Sequence, residues 1–250
     1  MKNIDAWQPT KFVLNKHDEL SASKDTSVID PSSWLMADLI AEFYGKNLSV
    51  HARGKLIDLG CGKVPLYSAY KNFVDEVVCV DWQNTIHGTS FLDFDCDLNR
   101  VLPFQDNEFN TVILSDVLEH IAEPNHIWTE IARIMAPGGK VLLNVPFFYW
   151  IHERPHDFHR YTEYALSLYA SKANLNVICL KPLGGSIEVF TDLLSKHLQG
   201  VPGIGNLIAM ILSRGARLFG RTALGQKLCM KSSRWFPFGY FLIAQKPTLN

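Results

Sequence analysis

The chain has 250 residues, enough for one large α/β domain or two small ones. Its 47% hydrophobic residues can bury a substantial core, which excludes global disorder. A formal net charge of -1 excludes a protein that coats nucleic acid through bulk basicity.

Residues 1 to about 30 are polar and are expected to form an irregular arm; the opening Met-Lys-Asn-Ile-Asp-Ala-Trp has no apolar leader core. Pro31-Ser32-Ser33 opens a helix carrying Trp34, Leu35, Leu39 and Phe43 at helical spacing, with Gly45 as its expected end. From Lys55 the period changes. Leu56 to Leu59, Glu76 to Asp81, Thr111 to Ser115 and Lys140 to Val145 are short runs rich in β-branched residues. They lack strict alternation, the pattern of strands buried on both faces. A helix precedes the last of them: Pro124 lies in its first turn, Ile127, Trp128, Ile131, Ile134 and Met135 form an apolar stripe, and Pro137-Gly138-Gly139 is its expected terminator.

An aromatic-rich loop runs from Phe147 to Tyr161, followed by a helix from Thr162 to about Ala173 and a strand around Asn176 to Leu180. A final apolar run, Phe238 to Lys246, suits a last strand. Alternating strands and helices predict an α/β fold with a mostly parallel sheet covered on both faces. Residues 31–250 read as one domain, with 184–236 a basic amphipathic insertion before the last strand. Between Leu193 and Lys246 stand eight basic residues and no acid. Leu207, Ile208, Ile211, Leu212, Leu218 and Phe219 set an apolar face among Arg214, Arg217 and Arg221. Two readings stay open: peripheral contact of residues 193–246 with an anionic membrane, or an amphipathic cap over a substrate pocket. No segment approaches the roughly 20 apolar residues of a membrane span. Five scattered cysteines without a CxxC pair suit a reducing, cytoplasmic setting, at most at the inner face of the membrane.

The strongest chemical signal is Leu56-Ile-Asp58-Leu-Gly60-Cys61-Gly62, a strand that breaks into a glycine turn. A dinucleotide fingerprint would place a third glycine where Pro65 stands. Asp58 would repel a pyrophosphate but can accept hydrogen bonds from a cationic amino group, which favours a sulfonium amino acid over a dinucleotide. Asp81 closes the next strand roughly 20 residues on, where a carboxylate can grip ribose hydroxyls; Trp82 follows it. Asp97 in Asp95-Cys-Asp97-Leu98 can accept from an adenine amino group or make an Asx turn.

Asp58-Leu-Gly-Cys-Gly62, Asp81, Leu102-Pro-Phe-Gln-Asp-Asn-Glu-Phe109, Leu118-Glu-His120 and Pro137-Gly-Gly139 occur in an order and spacing that resembles class I S-adenosylmethionine-dependent methyltransferases. In particular the set resembles the broad subgroup that includes quinone and small-molecule methyltransferases, and the match covers roughly residues 50 to 182 plus the terminal strand. The resemblance implies a Rossmann-like seven-stranded sheet with its last strand antiparallel. It implies S-adenosylmethionine bound with Asp58 near the methionine moiety and Gly60, Cys61 and Gly62 as close-approach backbone. Asp81 and Trp82 would lie at the ribose, Asp97 and Leu98 at adenine, and Ser115 beside the methionine end.

Two clusters past the sheet's carboxyl edge could serve an acceptor: Asp116 to His120, and His152 to Thr162. His120, His152, His156 and Asp157 are the candidate catalytic residues, because a hydroxyl acceptor benefits from a base. An alternative reading pairs Asp157 with Arg160 to hold the loop, with Thr162 capping the next helix. His152, Pro155, Asp157, Phe158, Arg160, Tyr161 and Thr162 resemble a segment of methyltransferases associated with surface-polysaccharide and glycan assembly. That implies O-methylation of a sugar hydroxyl on a glycan or lipid-linked precursor, with a quinone-like or other lipophilic acceptor and a catalytically silent binding protein as rivals; nucleic acid is not an expected partner. Asp116, Glu119 and His120 share a helical face, and His152, His156 or His159 could complete a metal site resembling metal-assisted RNA 2′-O-methyltransferases and some quinone-pathway enzymes. The same Glu-His pair occurs in relatives without metal, and no metal is expected.

Overall fold

Strands that bury both faces must alternate between two separate cores, and the computed structural model, which describes residues 1–248, shows that division. The elements in chain order are β1 (Phe12–Leu14), β2 (Leu20–Ala22), α1 (Trp34–His51), β3 (Lys55–Leu59), α2 (Tyr67–Tyr70), β4 (Glu76–Asp81), β5 (Phe94–Asp95) and β6 (Phe109–Ser115). Then follow α3 (Pro124–Ile134), β7 (Met135–Pro146), α4 (Glu163–Lys172), β8 (Asn176–Leu183), α5 (Ser186–Leu198), α6 (Gly205–Gly220), α7 (Ala223–Ser232) and β9 (Gly239–Gln245). Ile57 and Leu59 of β3, Val112 and Leu114 of β6 and Val141 and Leu143 of β7 pack with Trp128, Ile131 and Leu166 of α3 and α4. The intervening Leu56, Ile113 and Leu142 pack with Ile40, Ala41, Tyr44 and Leu48 of α1. The sequence lacks a polar beat because neither face meets water.

The seven strands lie in the order β5-β4-β3-β6-β7-β9-β8, and β5, β4, β3, β6 and β7 run parallel. β9 is antiparallel to both β7 and β8, as expected for the last strand. The chain moves outward from β3 to β5, then crosses back to β6 beside β3. The carboxyl ends of β3 and β6 therefore flank the point where strand order reverses, the usual ligand crevice of such sheets.

Three local expectations are corrected. The helix opened at Pro31 begins as a 3-10 turn, Pro31–Ser33, and α1 passes through Gly45 to His51. A Cβ on Gly45 would stand 3.4 Å from that of Leu20, so tertiary packing of β2 on α1 overrides glycine's poor helix propensity. α3 ends at Ile134, and Pro137-Gly138-Gly139 lies inside the long β7, not at a helix stop. A Cβ on Gly139 would meet the Ala136 carbonyl at 2.8 Å, which reserves that bulged position for glycine.

Residues 1–30 are not loose. β1 and β2 pair as a hairpin whose Phe12, Leu20 and Ala22 are buried. Trp7 sets its ring edge on Tyr67 and donates its indole N–H to the carbonyls of Lys63 and Val64. Residues 184–236 form α5, α6 and α7; the Ser213 hydroxyl donates to the Pro31 carbonyl and Arg217 lies 3.3 Å from Asp38. The expected domain end at 249–250 lies outside the described residues. Truncating Phe12 to Ala should lower unfolding free energy in urea by about 3–5 kcal/mol; a change within about 0.5 kcal/mol would mean that the hairpin contributes nothing to the core.

Candidate active site

The glycine turn is built by the two strands it joins. After β3 the amides of Gly60 and Cys61 donate to the Val80 carbonyl, and the Gly62 amide donates to Asp81 Oδ2 at 2.9 Å. Gly60 takes φ +71, and a Cβ there would stand 2.6 Å from Val117. Gly60 is thus demanded by its own neighbour as well as by any ligand. Asp81 also accepts the Trp82 amide at 2.8 Å. Asp58 is buried, 4% exposed, and accepts the Tyr70 hydroxyl at 3.0 Å. Burial raises its carboxyl to about 7, against the Tyr70 hydrogen bond and helped by the nearby Asp81. Burial raises Asp81 as well, against the two backbone amides.

Asp58, Asp81 and Asp97 stand at the same edge of three adjacent parallel strands, β3, β4 and β5. Asp97 makes the Asx turn: its Oδ1 accepts the Asn99 amide at 2.9 Å, while Leu98 is buried beside it. The Cys61 thiol is buried, turned toward Cys79, and that contact and burial raise its pKa; only its backbone can face the edge. Ser115, ending β6, is half-buried beside Asp116, which takes φ +55.

Beyond β6 a 3-10 turn, Leu118–His120, carries Glu119 into the interior with its side chain wholly buried and both carboxylate oxygens without a hydrogen bond. Burial, with Asp116 nearby, holds this carboxyl well above the usual range. His120 Nε2 and His152 Nε2 each lie 3.8 Å from Glu119 Oε1. Burial and the adjacent His120 lower the pKa of His152. The loop after β7 is pinned over this turn: Phe158 and His159 donate their amides to the Glu119 carbonyl, and the Tyr161 hydroxyl donates to the Leu118 carbonyl.

A family model described as a methyltransferase domain matches residues 57–143, from the first glycine-turn strand into β7. The chain carries a methyltransferase domain. It is an S-adenosylmethionine-dependent enzyme, and S-adenosylmethionine is its cofactor. No curated protein sequence matches this methyltransferase. Among solved structures, the [4+2]-cyclase SpnF is 15% identical with a TM-score of 0.56, over 86% of this chain and 83% of that one. Geranyl diphosphate methyltransferase, solved with geranyl diphosphate and sinefungin, is 13% identical with a TM-score of 0.55, over 90% and 86%. Phosphoethanolamine N-methyltransferase 2 of Haemonchus contortus, solved with S-adenosylmethionine, is 15% identical with a TM-score of 0.52, over 87% and 56%. At such identities the likeness is one of fold, and a cyclase among the neighbours shows that the fold does not dictate the reaction.

The methyltransferase gathers some predicted acceptor residues and leaves others aside. His120 and His152 meet at Glu119; their rings are 4.8 Å apart. The His156 ring instead stands edge-on to Trp82 at 4.9 Å and offers the cluster only its carbonyl, which His120 Nδ1 meets at 2.8 Å. Asp157 is a positioning residue and not a catalytic one. Its buried carboxylate accepts both Arg160 NH groups and the His152 amide, leaving no free face toward an acceptor. Burial alone would raise it, but Arg160 and the His152 amide bring it down to about 2. Thr162 caps α4 through the Ala165 amide, as expected. Asp116 does not share the Glu119 point, because Lys11 and Asn144 hold its two oxygens at 2.7 and 2.5 Å.

Sequence reasoning missed Lys11 and Tyr70. Lys11 arrives from the N-terminal hairpin 105 residues away, and no local pattern links it to Asp116. Tyr70 carried a weak signal: it falls in the helix directly after the glycine turn, where a hydroxyl can reach back to the strand. His87 and Glu153 were also missed; they lie 3.4 Å apart beside the turn and the cluster.

Proposed function

We propose that the enzyme transfers the methyl group of S-adenosylmethionine to a hydroxyl of a sugar, in a glycan or a lipid-linked precursor. The observation that carries this reading is the meeting of Glu119, His120 and His152 past β6, three hydrogen-bond acceptors next to the strand end that carries Ser115. Such a point suits an acceptor that brings a proton to lose. The acceptor oxygen forms a bond to the methyl carbon as the carbon–sulfur bond breaks. Its electron pair stays on sulfur, giving S-adenosylhomocysteine, and the hydroxyl proton departs at this cluster. Alignment for in-line displacement supplies much of the rate, and proton removal the rest.

The residues present fit the cofactor. Gly60 to Gly62 would let the backbone come close; Asp81 and Trp82 would border the ribose; Leu98, with Asp97 held in its turn, would border the adenine. Asp58 would pair with the methionine ammonium, and Ser115 would lie at the methionine end. A lipophilic acceptor is the second reading, favoured by exposed apolar side chains on α6 and α7: Leu207, Ile211, Leu218, Leu224 and Leu228. The two readings meet in a lipid-linked sugar.

The same helices support a peripheral membrane contact. Of the eight basic residues between 193 and 246, Lys196 is buried against Asp192, Arg217 faces Asp38, and Lys246 donates to the Ala132 and Met135 carbonyls. Arg214, Arg221, Lys227, Lys231 and Arg234 remain exposed among the apolar side chains, the composition that anionic lipid attracts. Among the described residues no helix is long and apolar enough to cross a membrane, so the contact would be peripheral.

Calorimetric titration should show S-adenosylmethionine binding with an acid limb near pH 7. Asp58 is charged only above that point, so affinity falls toward tenfold per pH unit below about 6. Asp58→Asn should flatten that limb; a folded wild-type sample that binds no cofactor would sink the enzyme reading. Labelled methyl incubated with extract of the native host should enter lipid-extractable or glycan fractions, and label confined to protein or RNA would overturn the sugar acceptor. Liposomes containing anionic lipid should carry the protein on flotation at low salt and release it at high salt; no flotation at low salt removes the membrane contact.

A further inference from the structure

The tautomers of two histidines decide what the cluster beyond β6 can bind. His120 Nδ1 lies 2.8 Å from the His156 carbonyl, which can only accept, so Nδ1 carries the hydrogen. His152 Nδ1 lies 3.3 Å from the Trp150 carbonyl and 3.2 Å from Asp157 Oδ2, again two acceptors. Both Nε2 atoms of the neutral rings therefore present lone pairs, and each is 3.8 Å from Glu119 Oε1. Glu119 is wholly buried with neither oxygen hydrogen-bonded, and His120 Nε2 is buried and unpartnered as well. The three ligand atoms all lie within 4.8 Å of one another.

Buried polar atoms that find no hydrogen-bond partner are costly, and a cation that displaces the Glu119 proton would satisfy all three groups at once. We infer that Glu119, His120 and His152 form a binding site for one divalent transition metal ion. The outer contacts are those of a built site: metal-ligating imidazoles donate their second N–H to a carbonyl or carboxylate, which fixes the ring and raises its basicity. His120 does so to His156, His152 to Asp157, and Arg160 holds Asp157 in turn. Two imidazoles and one carboxylate suit zinc, iron(II) or cobalt(II) over magnesium, which prefers oxygen ligands. Three protein ligands leave coordination positions open, as in catalytic and not structural sites. Side-chain exposure of 15% at His120 and 21% at His152, against none at Glu119, places the open side toward the cleft. The inference rests on the proposed acceptor side, where the ion would hold the hydroxyl oxygen beside Ser115. Metal binding is read without any acceptor, so its failure leaves methyl transfer standing with an imidazole as the base.

The test uses tag-free full-length protein stripped with a chelator and titrated with cobalt(II) and zinc, read by visible absorption and calorimetry. One ion per chain is expected, with little response to magnesium. His152→Asn and Glu119→Gln each remove a ligand and should weaken binding by at least the roughly 10–100-fold that loss of an outer-shell partner costs, while His156→Ala, whose ring faces Trp82, keeps it. Circular dichroism checks the fold of each variant, and the partly exposed His152 keeps the test valid if Glu119→Gln fails to fold. Absence of stoichiometric binding to the wild type, or binding indifferent to His152→Asn, overturns the site.

Discussion

One hydrogen bond joins the two halves of the cofactor edge: the Gly62 amide to Asp81. With the Val80 carbonyl taking the amides of Gly60 and Cys61, it clamps the end of β3 to the end of β4. The clamp fixes three things together. It turns the chain sharply out of the sheet, points Asp81 inward, and keeps Asp81 close enough to Asp58 to help raise the Asp58 carboxyl. Positive φ at Gly60 and Gly62 is the backbone consequence, and Val117 leaning on Gly60 ties β6 into the same knot. Because β5, β4, β3 and β6 are parallel neighbours, whatever fixes one end orders the row.

The polar chemistry beyond that row works against stability and is held by its surroundings. Asp116 sits in a left-handed conformation that ordinary side chains avoid, and Glu119 is buried without a donor. Such features cost of order 1–3 kcal/mol each and persist only where neighbouring structure dictates them. Here the dictating contacts are visible. Lys11 and Asn144 grip Asp116, while the amides of Phe158 and His159 grip the Glu119 carbonyl. A sequence in which local preference and global fold otherwise agree departs from that agreement mainly at working sites.

The sheet and the row of acids were legible in the sequence, because both arise from short-range pattern. Runs buried on two faces show in composition, and glycine, acid and spacing recur within about 40 residues of chain at the end of β3 and β4. What failed was non-local. Gly45 looks like a helix end until Leu20 packs against it, and the N-terminal segment looks loose until Phe12 finds the core. Asp157 could be named as a base or as a brace from spacing alone; only its geometry with Arg160 and the His152 amide selects the brace. At Asp97 one of two readings, the Asx turn, is visible in the hydrogen bond from the Asn99 amide, and the adenine contact remains a proposal. Charge counts misled in the same way: three of eight basic residues near the C-terminus face partners inside the fold.

The buried Asp192–Lys196 pair of α5 shows how the inserted helices bear on the acceptor side. Lys196 lies over the Tyr149 ring at 3.8 Å, and Tyr149 meets the His152 ring edge-on at 5.2 Å. Burial pushes Lys196 down and Asp192 up, and each draws the other back toward its charged form, so the two are mutually dependent. Removing either partner would leave an unpaired charge in the interior, which is far costlier than replacing both. α5 is thereby locked to the aromatic loop that delivers His152, and the apolar and basic surface of α6 and α7 is mechanically continuous with the acceptor cluster. The surface proposed to meet lipid and the cluster proposed to take a hydroxyl would thus share one support, the arrangement that an acceptor with a lipid tail and a polar head would require.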